Sequence, residues 1–384
     1  MNAFFTPETV EDARRFIETR QSSQRPLLIR GSGSRLPSWN YDAISTTNLK
    51  CVRFFHPQDM VIGVESGLPF RELIRILAEE NMRLPVNPWF QNATVGGAVA
   101  ANDFGPDRLL GGGFRDFIIG VEYVNGQGKL VKAGGRVVKN VTGYDLSRMV
   151  IGSRGGLGLI TAVNFKVIPT PTNPYCLAIC QKDGQWMQAL AEVHRQKIPL
   201  DYVQAIQAEG SWRLGLGISG NEARRERIIA DLQAVFRDQL RVMPEDNLQH
   251  EFACFSPDQR FSGFLTPHLR AFSGEILHLH IIAPGRAFLE QDPNRWTDGA
   301  NLAVFHPMGG DLHLIYENAP NPNAILDGVA QAVAREGGWL QVERGPESLG
   351  KPQIKPLPAG YALMKQLKRG LDPHGIFHAP FYDS

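Results

Sequence analysis

Four glycine-rich turns offer this chain's clearest chemistry. Gly31-Ser32-Gly33-Ser34 follows Leu27-Leu28-Ile29-Arg30, and Ala93-Thr94-Val95-Gly96-Gly97, Gly111-Gly112-Gly113 and Gly152-Ser153-Arg154-Gly155-Gly156-Leu157-Gly158 lie between Pro88 and Pro169. Glycine accepts positive φ and lacks the Cβ that would hold a ligand off the backbone. A turn of this kind at a strand end aims several N–H groups at one point, which is how backbone chelates phosphate. Several of them in one half of a chain point to a long, phosphate-bearing cofactor rather than a single anion. A Rossmann fingerprint needs a third glycine and a helix after the turn. Here Leu36 takes the third position, and Pro37-Ser38-Trp39-Asn40-Tyr41-Asp42 cannot open a helix. No glycine run ends in Gly-Lys-Ser/Thr, which removes a P-loop. The first turn must act as a bare nest of N–H groups, assisted by the Ser32 and Ser34 hydroxyls.

The elements that position these turns follow from hydrophobic periodicity. Leu27 to Arg30, Val61 to Glu65, Phe117 to Val124 and Leu157 to Ile168 read as strands. In the last of these, Leu159, Thr161, Val163, Phe165 and Val167 alternate with Ala162, Asn164 and Lys166, which predicts a half-exposed strand. Phe70, Leu73, Ile74 and Leu77 fit a helical face. Thr6-Pro7-Glu8 carries start signals for a helix bearing Val10, Ala13 and Ile17. Pro169-Thr170-Pro171-Thr172-Asn173-Pro174 reads as a linker. Beyond it, strands at 175–181, 201–207, 212–219, 276–283, 302–306 and 311–316 are interspersed with helices marked by Ile228, Leu232 and Phe236 and by Ile325 to Val333. That pattern predicts an antiparallel α+β layer.

Composition narrows the function. A chain of 384 residues defaults to two domains. The net charge is +1 and no run of like charges stands out, so nucleic-acid binding has no electrostatic support. Glu222 to Arg227 mixes both signs, as a solvated helix face does. No apolar stretch approaches the ~20 residues that span a bilayer, and Met1-Asn2-Ala3-Phe4-Phe5 lacks the basic start of a signal peptide. No transmembrane segment and a cytoplasmic location are expected, with membrane association only through partners. Cys51, Cys176, Cys180 and Cys254 form no Cys-x-x-Cys pair, so iron–sulfur and zinc sites are not expected and buried, reduced thiols are.

Arg30 to Ser34, Ala93 to Ala101 and Gly152 to Ile160 together resemble the flavoproteins with a vanillyl-alcohol-oxidase or PCMH-type FAD domain. Gly135 to Arg148 and Leu367 to Phe377 are similar to the FAD-binding E-subunit type of bacterial glycolate oxidase within that family. The resemblance implies an α+β fold: an FAD domain of two α+β subdomains over residues 1–170, an antiparallel-sheet cap over 171–354, and a tail over 355–384 returning to the FAD domain. It implies non-covalent FAD held by Arg30, Gly31, Ser32, Gly33, Ser34, Pro88, Thr94, Gly96, Gly97, Asn102, Gly158 and Ile160.

A flavin supplies redox chemistry, and the protein supplies position, charge and exclusion of water. Oxidation of a small 2-hydroxy acid such as glycolate needs a cation for the carboxylate and a base for the hydroxyl proton. Lys139 and Arg115 are candidate cations. His306-Pro307-Met308-Gly309-Gly310-Asp311-Leu312-His313 stands where relatives carry a histidine loop that serves a metal and the substrate. Its Gly-Asp-Gly-Asn centre is not reproduced, so no metal site is assigned. His313 alternates with Leu312 and Leu314, either as a base or facing out of its strand. The resemblance implies a subunit working beside a second FAD subunit and an iron–sulfur subunit. A stand-alone FAD-dependent D-2-hydroxy acid dehydrogenase and a non-catalytic FAD-holding subunit stay open.

Overall fold

The computed structural model describes residues 4–378 except 24, 36–40, 87, 89, 91, 106–107, 137–145, 171–174, 182–185, 209–210, 244–273, 290–293, 347–348, 350–353 and 358–359. Lys139, Cys254 and most of the expected linker therefore lie outside the described residues.

The N-terminal part builds two sheets. Strands β1 (Phe4–Phe5), β2 (Leu27–Arg30) and β3 (Asp42–Ser45) join in parallel. Strands β4 (Val52–His56), β5 (Val61–Glu65), β7 (Ile118–Val124), β8 (Leu130–Gly134) and β9 (Leu159–Lys166) form a five-stranded antiparallel sheet in the order β4-β5-β9-β7-β8. A short pair, β6 (Met82–Arg83) with β10 (Ile168–Pro169), lies apart. Three helices matter here: α1 (Val10–Thr19), α2 (Phe70–Glu79) and α3 (Val95–Ala101).

The cap of helix α1 lies three residues after the expected one. Thr9 closes a capping box in which its hydroxyl accepts the Asp12 N–H at 3.1 Å and the Asp12 carboxylate accepts the Thr9 N–H at 2.9 Å. That reciprocal pair outcompetes the Thr6-Pro7 signal. Strand β9 also departs from expectation. It is the middle strand of five, and Leu159 to Val163 are buried on both faces, with only Asn164 and Lys166 part-exposed. Leu159 joins a core with Leu27 and Ile44, whereas Ile160, Val163 and Phe165 join another with Phe70, Val95 and Phe114. Cys51, expected buried, is exposed because it leads into edge strand β4.

The second half is a nine-stranded antiparallel sheet. Its strands are β11 (Tyr175–Gln181), β12 (Tyr202–Ala208), β13 (Ser211–Ile218), β14 (Arg241–Met243), β15 (Ile276–Ile282), β16 (Leu302–His306), β17 (Asp311–Glu317), β18 (Trp339–Arg344) and β19 (Ile354–Lys355). They run in the order β14-β11-β13-β12-β16-β17-β15-β18-β19. After a helix over Tyr361–Leu371, β20 (Phe377–His378) returns to the N-terminal part and pairs in parallel with β2. Among the described residues, no helix is long and apolar enough to cross a membrane.

Alternation at period two sorts the middle of this sheet into two faces. Val203, Ala205, Leu277, Leu279, Ile281, Ala303, Phe305, Leu312, Leu314, Leu340 and Val342 pack under helices Trp186–Gln196, Glu222–Phe236 and Pro322–Arg335. Ile206, Ile276, Leu302, Val304 and Ile315 instead join the core of the N-terminal part. The sheet is therefore a wall between two cores, and its second face carries the polar groups described below. Phe165, fully buried 6.1 Å from the Phe114 ring, anchors the core beneath it. Phe165→Ala is expected to cost about 3–5 kcal/mol, read as a lower urea midpoint, while Glu226→Ala on the solvated helix should leave the midpoint unchanged.

Candidate active site

Three of the four glycine turns converge on one cleft, and Gly111 to Gly113 is not part of its lining. Its walls are the turn after β2 (Arg30 to Arg35), the start of α3 (Thr94, Gly96, Gly97) and the segment that leads into β9 (Arg154, Gly155, Gly158, Ile160). Thr94 caps α3, its hydroxyl accepting the Gly97 N–H at 3.2 Å. Gly31 lies directly against that cap, since a Cβ there would stand 2.0 Å from Thr94 Oγ1. Gly158 likewise passes Val124 so closely that a Cβ would meet its carbonyl oxygen at 2.9 Å. Arg30 lies over the Phe4 ring at 5.5 Å, and among the described residues no carboxylate stands within ion-pair distance of it. The cleft thus offers backbone donors, hydroxyls and a guanidinium to an anionic ligand.

Of the residues singled out in the sequence, Arg30, Gly31, Ser32, Gly33, Ser34, Thr94, Gly96, Gly97, Gly158 and Ile160 line this cleft. Pro88 and Asn102 do not. Pro88 is buried in the segment leading to Phe90, and Asn102 closes the far end of α3 with a left-handed φ of 50°. Arg115 is exposed and off the cleft.

The polar face of the nine-stranded sheet comes next. Gln204, His278, His280, His306, Asp311, His313, Gln341 and Glu343 are all buried. The Phe90 ring lies 6.3 Å from His278 and the Phe104 ring 6.2 Å from His280, so this face looks at the N-terminal part. His313 does not face outward; its side chain is fully buried, because its strand has a covered surface on both sides. The ladder sets His280 opposite His313, and their rings stack at 4.0 Å. His278 Nε2 and His313 Nδ1 share a hydrogen bond of 2.9 Å.

Tautomers follow from the partners. The Gln204 amide donates to His306 Nε2 at 3.2 Å, so His306 Nδ1–H donates to Asp311 Oδ1 at 3.0 Å. His280 Nδ1–H donates to Glu343 Oε1 at 3.3 Å, which leaves the Nε2 lone pair with no hydrogen-bond partner. That nitrogen stands 3.9 Å from Asp311 Oδ2, and His313 Nε2 stands 3.6 Å from the same oxygen. No metal site was assigned from the sequence, yet ligand atoms of His280, Asp311 and His313 lie within 4.8 Å of one another, and two imidazoles with a carboxylate suit a divalent transition metal. Burial pushes His278 down to about 3 and, with the neighbouring His280 and His278 rings, holds His313 well below its usual value, so both stay neutral.

Cleft and polar face meet at one buried ion group. Glu343 Oε2 accepts from Arg35 Nη1 at 2.6 Å, and Glu343 Oε1 accepts from Arg154 Nη2 at 2.9 Å. Arg35 Nη2 also donates to Asp103 Oδ2 at 2.6 Å. Burial works against the Glu343 carboxylate, but Arg154, Arg35 and His280 outweigh it and hold it well below the usual range. For Arg35, burial is likewise outweighed, here by Asp103 and Glu343, and the guanidinium is pushed up.

Arg35, Asp103, Arg154, Glu343, His278 and His280 were not picked out from sequence. Two signals existed: Arg35 and Arg154 fall inside or beside glycine turns, and His278 and His280 alternate with Leu277, Leu279 and Ile281. Glu343 had none. Its position depends on a bulge, where His278 pairs with Arg344 and Leu279 with Val342, skipping Glu343.

Comparison with known proteins agrees with this geometry. Residues 1–134 match the family model described as FAD binding domain. The chain is 35% identical over 184 residues to glycolate oxidase subunit GlcE of Escherichia coli (strain K12), covering 47% of this chain and 53% of that protein. It is 26% identical over 204 residues to glycolate oxidase subunit GlcD of Bacillus subtilis (strain 168), covering 51% and 43%. Only about half the length of each of these two relatives is matched. With D-lactate dehydrogenase of Archaeoglobus fulgidus the identity is 26% over 401 residues, covering 97% and 89%. Alkyldihydroxyacetonephosphate synthase shares the fold, with a TM-score of 0.69 at 14% identity over 97% of this chain and 76% of that one.

The tight fit of Gly31 against Thr94 yields a test. Gly31→Ala must push the Thr94 hydroxyl off the Gly97 N–H, so retained FAD, measured by the 450 nm absorbance after gel filtration, is expected to drop at least tenfold while Gly113→Ala, with open space at its Cβ, keeps it. The converging turns of an α+β fold and these matches give one conclusion: the chain carries an FAD-binding domain of the FAD-linked oxidase type, and its cofactor is FAD.

Proposed function

We propose that the chain is the FAD-binding subunit of a glycolate-oxidase-type 2-hydroxy acid dehydrogenase. The observation that carries this reading is the buried imidazole and carboxylate face set against the cofactor cleft and joined to it through Glu343. The similarity to two glycolate oxidase subunits and a D-lactate dehydrogenase supports the substrate class, a small 2-hydroxy acid. Residues 1–170 form the cofactor domain, 171–354 the cap, and 355–384 a tail that comes back to the cofactor domain.

Each group has a task in this reading. The Gly31-to-Ser34 turn and Arg30 hold the diphosphate, and Thr94, Gly96, Gly97, Gly158 and Ile160 line the rest of the cofactor. Pro88 and Asn102 act by shaping the segments on either side of α3. FAD, when bound, accepts the hydride. His280, His313 and Asp311 would hold a divalent cation that acidifies the substrate hydroxyl; without that cation the neutral His313 ring would accept the hydroxyl proton. Lys139 stays a candidate cation for the substrate carboxylate, whereas Arg115, exposed and off the cleft, takes no such role. The four cysteines contain no Cys-x-x-Cys pair, so electrons leave through a second FAD subunit and an iron–sulfur subunit, or to a quinone. The complex is cytoplasmic and reaches a membrane only through those partners.

A second reading, a self-sufficient D-2-hydroxy acid dehydrogenase, is favoured by the alignment of 97% of this chain with a D-lactate dehydrogenase. An anaerobic titration of the FAD-loaded chain with glycolate and D-lactate, alone and with the co-expressed complex, separates the two. Flavin bleaching only in the complex is expected for the subunit. Full bleaching and dye reduction by the isolated chain would favour the second reading, and no bleaching in either preparation would overturn both.

A further inference from the structure

We propose that Glu343 is an internal carboxylate seated in this chain's own carboxylate-binding site, so that the cleft rejects small carboxylate ligands while Glu343 stays in place. As a brake on 2-hydroxy acid access, this rests on the function proposed above; as a binding site, it rests on geometry alone.

The surroundings of Glu343 are those of a bound carboxylate. Oε2 accepts from Arg35 Nη1 at 2.6 Å and from Arg154 Nη1 at 3.3 Å. Oε1 accepts from Arg154 Nη2 at 2.9 Å and from His280 Nδ1 at 3.3 Å. Two guanidiniums thus clamp one carboxylate through both of its oxygens, the arrangement by which arginine recognises carboxylate ligands. The clamp is built by one part of the chain and filled by another. Arg35 and Arg154 extend from two glycine turns and line the cofactor cleft, whereas Glu343 arrives from β18 across the interface, its side chain fully buried. The β18 bulge leaves Glu343 out of the ladder register, so the side chain is delivered without a strand partner fixing its backbone.

Charge counting gives the consequence. At this end of the cleft two guanidiniums face two carboxylates, Asp103 and Glu343. A ligand carboxylate would be a third buried anion against two cations and can enter only by replacing one of those present. Asp103 directly follows α3 and belongs to the cleft's own wall. Glu343 belongs to the opposing sheet, so separating β18 from the cleft vacates the clamp. Arg30, the remaining guanidinium on the cleft, lies beside Gly33 and is not among the donors to Glu343. The ligand class is a small mono- or dicarboxylate with a planar head, which includes 2-hydroxy acids.

Chemical rescue tests this. Glu343→Ala should melt lower than wild type. Acetate should restore its melting temperature saturably, and chloride at equal ionic strength should not. Wild type should show no such shift, and E343A combined with Arg154→Met should lose the rescue. In the FAD-loaded proteins, oxalate should perturb the flavin spectrum of E343A with a half-saturation at least tenfold below wild type. Should E343A be insoluble, Glu343→Gln removes the charge at constant shape and carries the oxalate titration. Equal acetate and chloride effects on E343A, or oxalate binding to wild type as tight as to the variant, would overturn the proposal. Failure of all proteins to hold FAD would count against the flavin reading only, because acetate rescue is measured without it.

Discussion

The buried ion group of Arg35, Arg154, Asp103 and Glu343 is the constraint on which the relation between the two halves depends. Removing four charged groups from water is costly, and their attraction repays that cost only if every partner is in place. Deleting one partner of such a group costs about 3–5 kcal/mol, largely because another charge is left buried and unmatched. The docking of the nine-stranded sheet on the cleft is therefore specified in position by these contacts, over and above the apolar contacts of Ile206, Ile276, Leu302, Val304 and Ile315. Apolar contacts tolerate sliding. Guanidinium forks do not, because their donors fit a carboxylate in few orientations.

The polar face itself is made by a simple device. Strands with a cover on both sides usually read as continuous apolar runs. Here β15, β17 and β18 keep apolar side chains toward the helices and replace some of those on the other face by histidine, aspartate, glutamine and glutamate. Adjacent strands then juxtapose the polar groups without any loop being needed. A site built on strands at the middle of a large sheet is held more rigidly than one on loops. Its groups also lose their hydration, which is why the His278 and His313 imidazoles are driven to the neutral form, while Arg154 and Arg35 keep Glu343 ionised.

Much of this could be read from sequence, and the reasons differ by element. The glycine turns were legible because glycine spacing is local and its steric meaning does not depend on distant residues. The FAD family and the fold of the cofactor domain followed from the resemblance that the motifs carry, and the antiparallel α+β layer of the second half from the strand and helix periods. Strand β9 was misjudged because alternation of Ala162, Asn164 and Lys166 with Leu159, Thr161, Val163, Phe165 and Val167 looks the same whether one face meets water or a second core; only the sheet order decides. The position of α1's start turned on two competing caps a turn apart. His278, His280 and Glu343 were missed for a different reason. Their meeting depends on the ladder between strands distant in sequence, and for Glu343 on a bulge that shifts the register, neither of which leaves a local mark.

The arginines on the cleft divide its work. Arg30 has no carboxylate near it among the described residues and stands beside Gly33, where the N–H nest gathers, so its charge is available to a diphosphate. Arg35 and Arg154 are matched by carboxylates and contribute no net charge to what binds there. An anionic cofactor is thereby drawn to Arg30 and the neighbouring N–H groups rather than to the clamp. Were all three guanidiniums unmatched, phosphate would compete for the clamp and the cofactor would have two registers. Matching two of them leaves one unmatched guanidinium on the cleft for a diphosphate, and it leaves the clamp answerable to whatever sets the position of β18.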